Sequence, residues 1–178
     1  VSITISYLAH MSVFYEQFKT GWLRFERIGS LEGVLISAVL IALSAIPSFR
    51  ELMAYRLVAD FNVAEVFILL STAAALATFF QTYKRIPDVK PGFWLFCLLL
   101  VAIGIFSPFV LTPFQVFAIL TLYASFYIGQ IMTGHLIDGK ERQTDFIVPL
   151  LVVLFGLMSF TDPNYFYFAL LTYLLIRI

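Results

Sequence analysis

The residues best equipped for chemistry are concentrated in Gly134 to Pro149, where His135, Asp138, Lys140, Glu141, Arg142, Thr144 and Asp145 stand between two strongly apolar runs. Carboxylates and an imidazole in one short stretch can move protons and hold cations if water or a polar cavity surrounds them. Lone ionisable groups in hydrocarbon are costly, so a turn this polar between membrane-length segments belongs at a bilayer face or along a wet cavity. Glu16 and Glu32 are two further acids close to the ends of apolar segments.

Most other constellations fail on residue type. There is no paired-histidine spacing for zinc, no glycine loop cradling phosphate before a basic helix, and no nucleophile elbow. Cys97, the only cysteine, lies in the apolar run FWLFCLLLV, where packing is its expected role. The 178 residues are 61% hydrophobic and 12% charged, against about 25% charged in a soluble domain. This is the composition of a membrane chain. Equal numbers of acids and bases give no overall pull toward nucleic acid. No basic, signal-like n-region precedes an apolar core, and the first apolar segment is short, so the chain is expected to begin mid-protein.

The chemistry-bearing residues must be positioned by these apolar segments. Val1 to Phe18 reads as the end of a spanning helix, with His10 inside and Glu16 near its exit. Ser30 to Ile46 follows, with Glu32 in its first turn, where a carboxylate suits the positive helix end. Ser48 to Asn62 mixes Leu52, Tyr55, Leu57 and Phe61 with charges and reads as a short interfacial amphipathic piece. Val63 to Tyr83, Gly92 to Leu111, Phe114 to Thr133, Phe146 to Phe160 and Asn164 to Ile178 complete the series. The expected fold is therefore all-α: a polytopic transmembrane helix bundle of about seven hydrophobic segments, the first partial, forming a single membrane region over residues 1–178. Alternating the turns puts Lys19, Arg24, Arg27, Lys84, Arg85, Lys90, Lys140, Arg142 and Arg177 on one side, and only Arg50 and Arg56 on the other. The cation-rich side is expected to be cytoplasmic. Glu16, Glu32, His135, Asp138 and Asp145 fall at that same end.

Two resemblances bear on what such an end does. Asp138-Gly139-Lys140-Glu141-Arg142 looks like part of the D-x-x-D-G-x-x-A-R motif of CDP-alcohol phosphotransferases. It fails as the metal motif: the first aspartate would fall at His135, the arginine at Gln143, and Phe160 and Asn164 stand where the later aspartates should follow Gly156. A wider likeness covers nearly the whole chain. Phe14 to Leu23 (FYEQFKTGWL) and Gly29 to Leu35 (GSLEGVL) resemble the W-E-E-Y-H-T-G-x-L and G-P-x-E-G-x-L signatures of eukaryotic choline- and ethanolaminephosphotransferases. Gly134-His135-Leu136, then Thr144 to Pro149 (TDFIVP), then Ile176-Arg177, are similar to that family's A-H-M, T-x-F-I-G-P and late I-R, in the same order.

This resemblance implies the C-terminal part of a ten-span enzyme that moves phosphocholine or phosphoethanolamine from CDP-choline or CDP-ethanolamine to diacylglycerol, releasing CMP. It implies Mg²⁺ or Mn²⁺ in the complete enzyme, held by upstream aspartates that the motifs of this chain do not supply, so the chain alone is expected to be inactive. It also implies a homodimer among membrane lipids in the endoplasmic reticulum or Golgi, with no nucleic-acid partner. Glu16 matches the first glutamate of W-E-E and would orient a catalytic base or bind the head group. Gln17 and Lys19 replace the family's second glutamate and histidine, which puts a local acid–base pair in doubt. Glu32 and His135 match a family glutamate and histidine and would line the substrate cavity. The rival reading is a noncatalytic small transporter or membrane scaffold, which demands a polar path with charge near the bilayer midplane.

Overall fold

The computed structural model describes residues 2–22, 39–40, 42–58, 60–158 and 163–177. Glu32, Arg24 and Arg27 lie outside the described residues, as does most of the segment expected over residues 30–46. The helices are α1 (Ser2–Thr20), α2 (Pro47–Ala54), α3 (Val63–Arg85), α4 (Pro91–Phe106), α5 (Pro113–Thr133), α6 (Ile147–Met158) and α7 (Pro163–Arg177). A two-stranded hairpin, β1 (Arg56–Val58) with β2 (Phe61–Asn62), is the only sheet among the described residues.

Local chemistry explains where the helices start. Prolines open α2, α4 and α5, where a missing N–H costs nothing. Asn62 accepts from the Glu65 amide while the Glu65 carboxylate accepts from the Asn62 amide, a reciprocal cap on α3. Thr112 and Gln115 cap α5 in the same way. After Phe106, α4 tightens into a 3₁₀ turn over Ser107–Phe109, where Pro108 has no N–H with which to continue the α-helical ladder.

Among the described residues, three helices are long and apolar enough to cross a membrane: Val63–Arg85, Pro91–Phe109 with the 3₁₀ turn, and Pro113–Ile137 with the turn after α5. Only 6% of the most apolar stretch of α3 is buried, and Ile68, Leu69, Leu70 and Phe80 stand exposed on it. An outward face of this kind suits hydrocarbon and not water.

Two expectations need correction. The amphipathic piece is helical only to Ala54, and its second half is the hairpin. There β-branched Val58 and the aromatic Phe61 favour extended backbone. The polar stretch after α5 is also not wholly a turn, because the helix continues as a wider π-type turn over Gly134–Asp138 before Gly139 ends it in the left-handed conformation, φ +63°.

The core is aromatic where α1, α4 and α5 meet. Tyr15 stacks on Phe93 at 4.2 Å, and Phe96 stacks on Tyr127 at 4.0 Å. Phe155 of α6 stacks on Phe166 of α7 at 3.9 Å. Cys97 is buried among these groups. Toward the start of α1, Thr4 sits so close to Gly104 that a Cβ there would lie 2.8 Å from the Thr4 methyl. Glycine is what lets α1 and α4 approach.

Candidate functional site

The ends of six helices gather around one polar region. At the exit of α1, Glu16 is 1% exposed, although a lone carboxylate would be costly there. Its partner is Arg85 at the end of α3: Nε donates to Oε1 at 2.8 Å and Nη2 to Oε2 at 3.0 Å. Arg85 Nη2 also donates to the Thr82 hydroxyl at 3.3 Å. A planar guanidinium matches both carboxylate oxygens at once, which a lysine does not. Both Glu16 oxygens are therefore engaged within the protein.

Beside it on α1, the Tyr15 hydroxyl donates to Glu141 Oε2 at 2.9 Å and accepts the Lys90 backbone N–H at 3.2 Å. The ammonium of Lys19 pairs with the other oxygen of Glu141. Glu141 thus fastens the loop after α5 to the exit of α1 and, through Tyr15, to the start of α4. Lys90 also pairs with Asp88. Hydrogen bonding and charge between them hold the Asp88 carboxyl below its ordinary value and the Lys90 ammonium above its own, so both remain charged near neutral pH.

Gly134 allows that loop to fold back. A Cβ at Gly134 would strike the Lys140 carbonyl oxygen and lie 2.8 Å from Arg142 Cγ, while the Lys140 amide donates to the Gly134 carbonyl at 3.2 Å. His135, at the start of the fold-back, meets the ring of Phe18 edge-on at 5.0 Å. It lines a cleft of about 650 Å³ whose walls also include Phe18, Lys19, Lys90, Lys140 and Arg142.

A third cluster pins α6 and α7. Asp145 Oδ1 accepts from the Ile147 amide at 2.6 Å, a cap at the start of α6, and Oδ2 accepts from the Tyr173 hydroxyl and lies 3.6 Å from Arg177 Nη2. The buried Tyr123 hydroxyl donates to the Asp145 carbonyl at 2.6 Å and lies 3.0 Å from the Thr144 hydroxyl.

Glu16, near the exit of α1, and His135, after α5, are thus both placed at the polar end. Glu16 faces Arg85 inside, and His135 stands on the cleft rim. The third expected site residue, Glu32, lies outside the described residues. Tyr15, Arg85 and Glu141 organise the site, yet none of them matches a motif that would mark it as a site residue in the sequence. Among the described residues, no three His, Cys, Asp or Glu side chains converge as metal donors. The divalent metal implied by the family likeness therefore finds no fitting donor set in them. Comparison with protein-family models, curated proteins and solved structures finds no match.

Proposed function

We propose that the chain is the C-terminal membrane region of a phospholipid-synthesising enzyme that transfers phosphocholine or phosphoethanolamine from a CDP-alcohol to diacylglycerol. The observation that supports this reading best is the packing of two distant motif segments at one polar end beside an open cleft, Phe18, two residues after Glu16, lying edge-on against His135. In this reading the polar end faces the cytoplasm of the endoplasmic reticulum or Golgi, where a water-soluble nucleotide substrate meets a lipid hydroxyl. Apolar outward faces such as that of α3 would border the lipid, and two copies would pair in the membrane.

The residues divide the work by exposure. Glu16, tied by Arg85, acts as a positioning residue that fixes the exit of α1, and with it Tyr15 and Lys19. His135, on the cleft rim, is the group able to exchange a proton with a substrate hydroxyl. The metal that would neutralise the pyrophosphate would be held by aspartates contributed from upstream of this region. The transporter reading has less support. Of the buried polar residues described, only Glu16 and Asp145 are acids or bases, and both lie at the polar end. His10, farther along α1, rests edge-on against Phe14 at 4.8 Å.

The test is to express the chain together with the coding sequence immediately upstream of Val1 and to assay CMP release from CDP-choline and CDP-ethanolamine with diacylglycerol and Mg²⁺ or Mn²⁺. Activity in the longer protein, absent from residues 1–178 alone, is the expected result. An inactive longer protein lacking the D-x-x-D-G-x-x-A-R motif defeats the reading, and full turnover in Glu16→Gln removes Glu16 from it.

A further inference from the structure

We infer that the cleft beside His135 is a binding site for a phosphate group. Its lining includes four cationic side chains, Lys19, Lys90, Lys140 and Arg142, and one acid, Glu141. That acid is turned into the protein: Lys19 holds one of its oxygens and the Tyr15 hydroxyl holds the other. Taking the lining charges together leaves an excess of three positive charges. Lys90 is also paired with Asp88, which is not among the lining residues.

The walls also leave room for a ligand beside the backbone. Gly92, in the first turn of α4, lines the cleft, and a Cβ placed on it would meet nothing within 4 Å. Gly139, on the loop after α5, has the same clearance. The backbone is therefore open where a ligand would approach. The positive end of the 16-residue α4 adds to the field of the four cations. Phe18 and Pro91 supply the apolar part of the lining. A phosphate attached to something larger fits this mixture better than a free small anion, and two sources have that chemistry: the head group of an anionic phospholipid and a soluble nucleoside diphosphate. The choice of a nucleoside diphosphate as the soluble source rests on the transferase reading, and the site itself on the lining charges alone.

The whole 178-residue chain, reconstituted in phosphatidylcholine nanodiscs, would be titrated with CDP and with inorganic pyrophosphate. In a second arm, nanodiscs containing phosphatidic acid would be examined by native mass spectrometry for retained lipid. Lys140 is exposed, so Lys140→Gln should fold like the parent, with Arg142→Gln as the second variant and a melting curve as the control. Loss of one charge-assisted contact weakens binding about tenfold, and added salt should weaken it further. Saturable CDP or pyrophosphate binding that both variants weaken identifies a soluble source, and retained phosphatidic acid that both variants release identifies a lipid source. Either result supports the site. No binding in either arm, or binding that neither folded variant changes, overturns it. Because the readout is binding to this chain and not CMP release by a longer one, its failure and that of the transferase reading are separable.

Discussion

Replacing Arg85 with alanine should destabilise the protein more than any other single change at the polar end. The Glu16 side chain is 1% exposed and that of Arg85 is 30% exposed, so the two halves of the pair are unequal. Removing the arginine strands a buried carboxylate, for which about 3–5 kcal/mol is expected. Removing the charge of Glu16 leaves a guanidinium that still reaches water and the Thr82 hydroxyl. Glu16→Gln should therefore cost about 1–2 kcal/mol. The double replacement Glu16→Leu with Arg85→Met leaves no buried charge and should be more stable than Arg85→Ala alone. Equilibrium unfolding of the parent and the three variants in mixed micelles, followed by circular dichroism, reads these differences as shifts in midpoint. A loss below about 1 kcal/mol in Arg85→Ala, in the range of exposed pairs, would refute the claim that this pair anchors the exit of α1. A double variant no more stable than Arg85→Ala would refute it equally.

Four other outcomes follow from named contacts. Gly134→Ala must push the loop away from the Lys140 carbonyl, so trypsin should cut after Lys140 or Arg142 several times faster than in the parent; an unchanged digestion rate would contradict the fold-back. Gly104→Ala overlaps the Thr4 side chain and should cost about 1–3 kcal/mol, partly recovered by Thr4→Ala, which removes the hydroxyl and methyl but leaves Cβ 2.9 Å away. Tyr123→Phe removes the bonds to the Asp145 carbonyl and the Thr144 hydroxyl and should cost about 1–3 kcal/mol in the same unfolding assay. Asp88 has a lowered folded pKa, so its contribution is present above the unfolded value and lost as pH falls through the folded one; the melting difference between parent and Asp88→Asn should be constant from about pH 5 to about pH 9 and disappear in stronger acid.

Much of the helix map was legible because its signals are local. Pro91 and Pro113 fix starts from a single residue, and Glu65 lies three residues after its capping partner. The hairpin was hidden because Arg56 and Asp60 stand four apart, the spacing of a helical pair, and they do lie 4.0 Å apart although the strands on either side are not helical. The site was harder to read. Arg85 is 69 residues from Glu16, and in sequence it is one cation among several marking a face. Glu141 stands among the charges of the polar turn, and nothing in its neighbours says that it points back to a tyrosine 126 residues earlier. Tyr123 sits in an otherwise apolar run, and nothing local says that its hydroxyl caps the loop before α6. Periodicity reports which side of a helix is apolar, but not which distant polar group it meets.

These long-range bonds have a common physical origin. Lipid tails are as apolar as leucine, so helices in a bilayer gain little from burying apolar faces against one another and depend more on close packing and polar contacts. The described helices use both at different depths. Thr4 against Gly104 brings α1 and α4 together by removing a side chain, whereas the polar end is tied by Glu16 with Arg85, Glu141 with Lys19 and Tyr15, and Asp145 with Tyr173 and Arg177. Two of the three acids in those ties follow Gly134, so the loop that forms one wall of the cleft also joins the ends of α1, α5, α6 and α7. A ligand in the cleft and the packing of those helix ends therefore share the same side chains. Whatever displaces Glu141 from Lys19 frees a cation into the cleft and at the same time loosens the loop that shapes it.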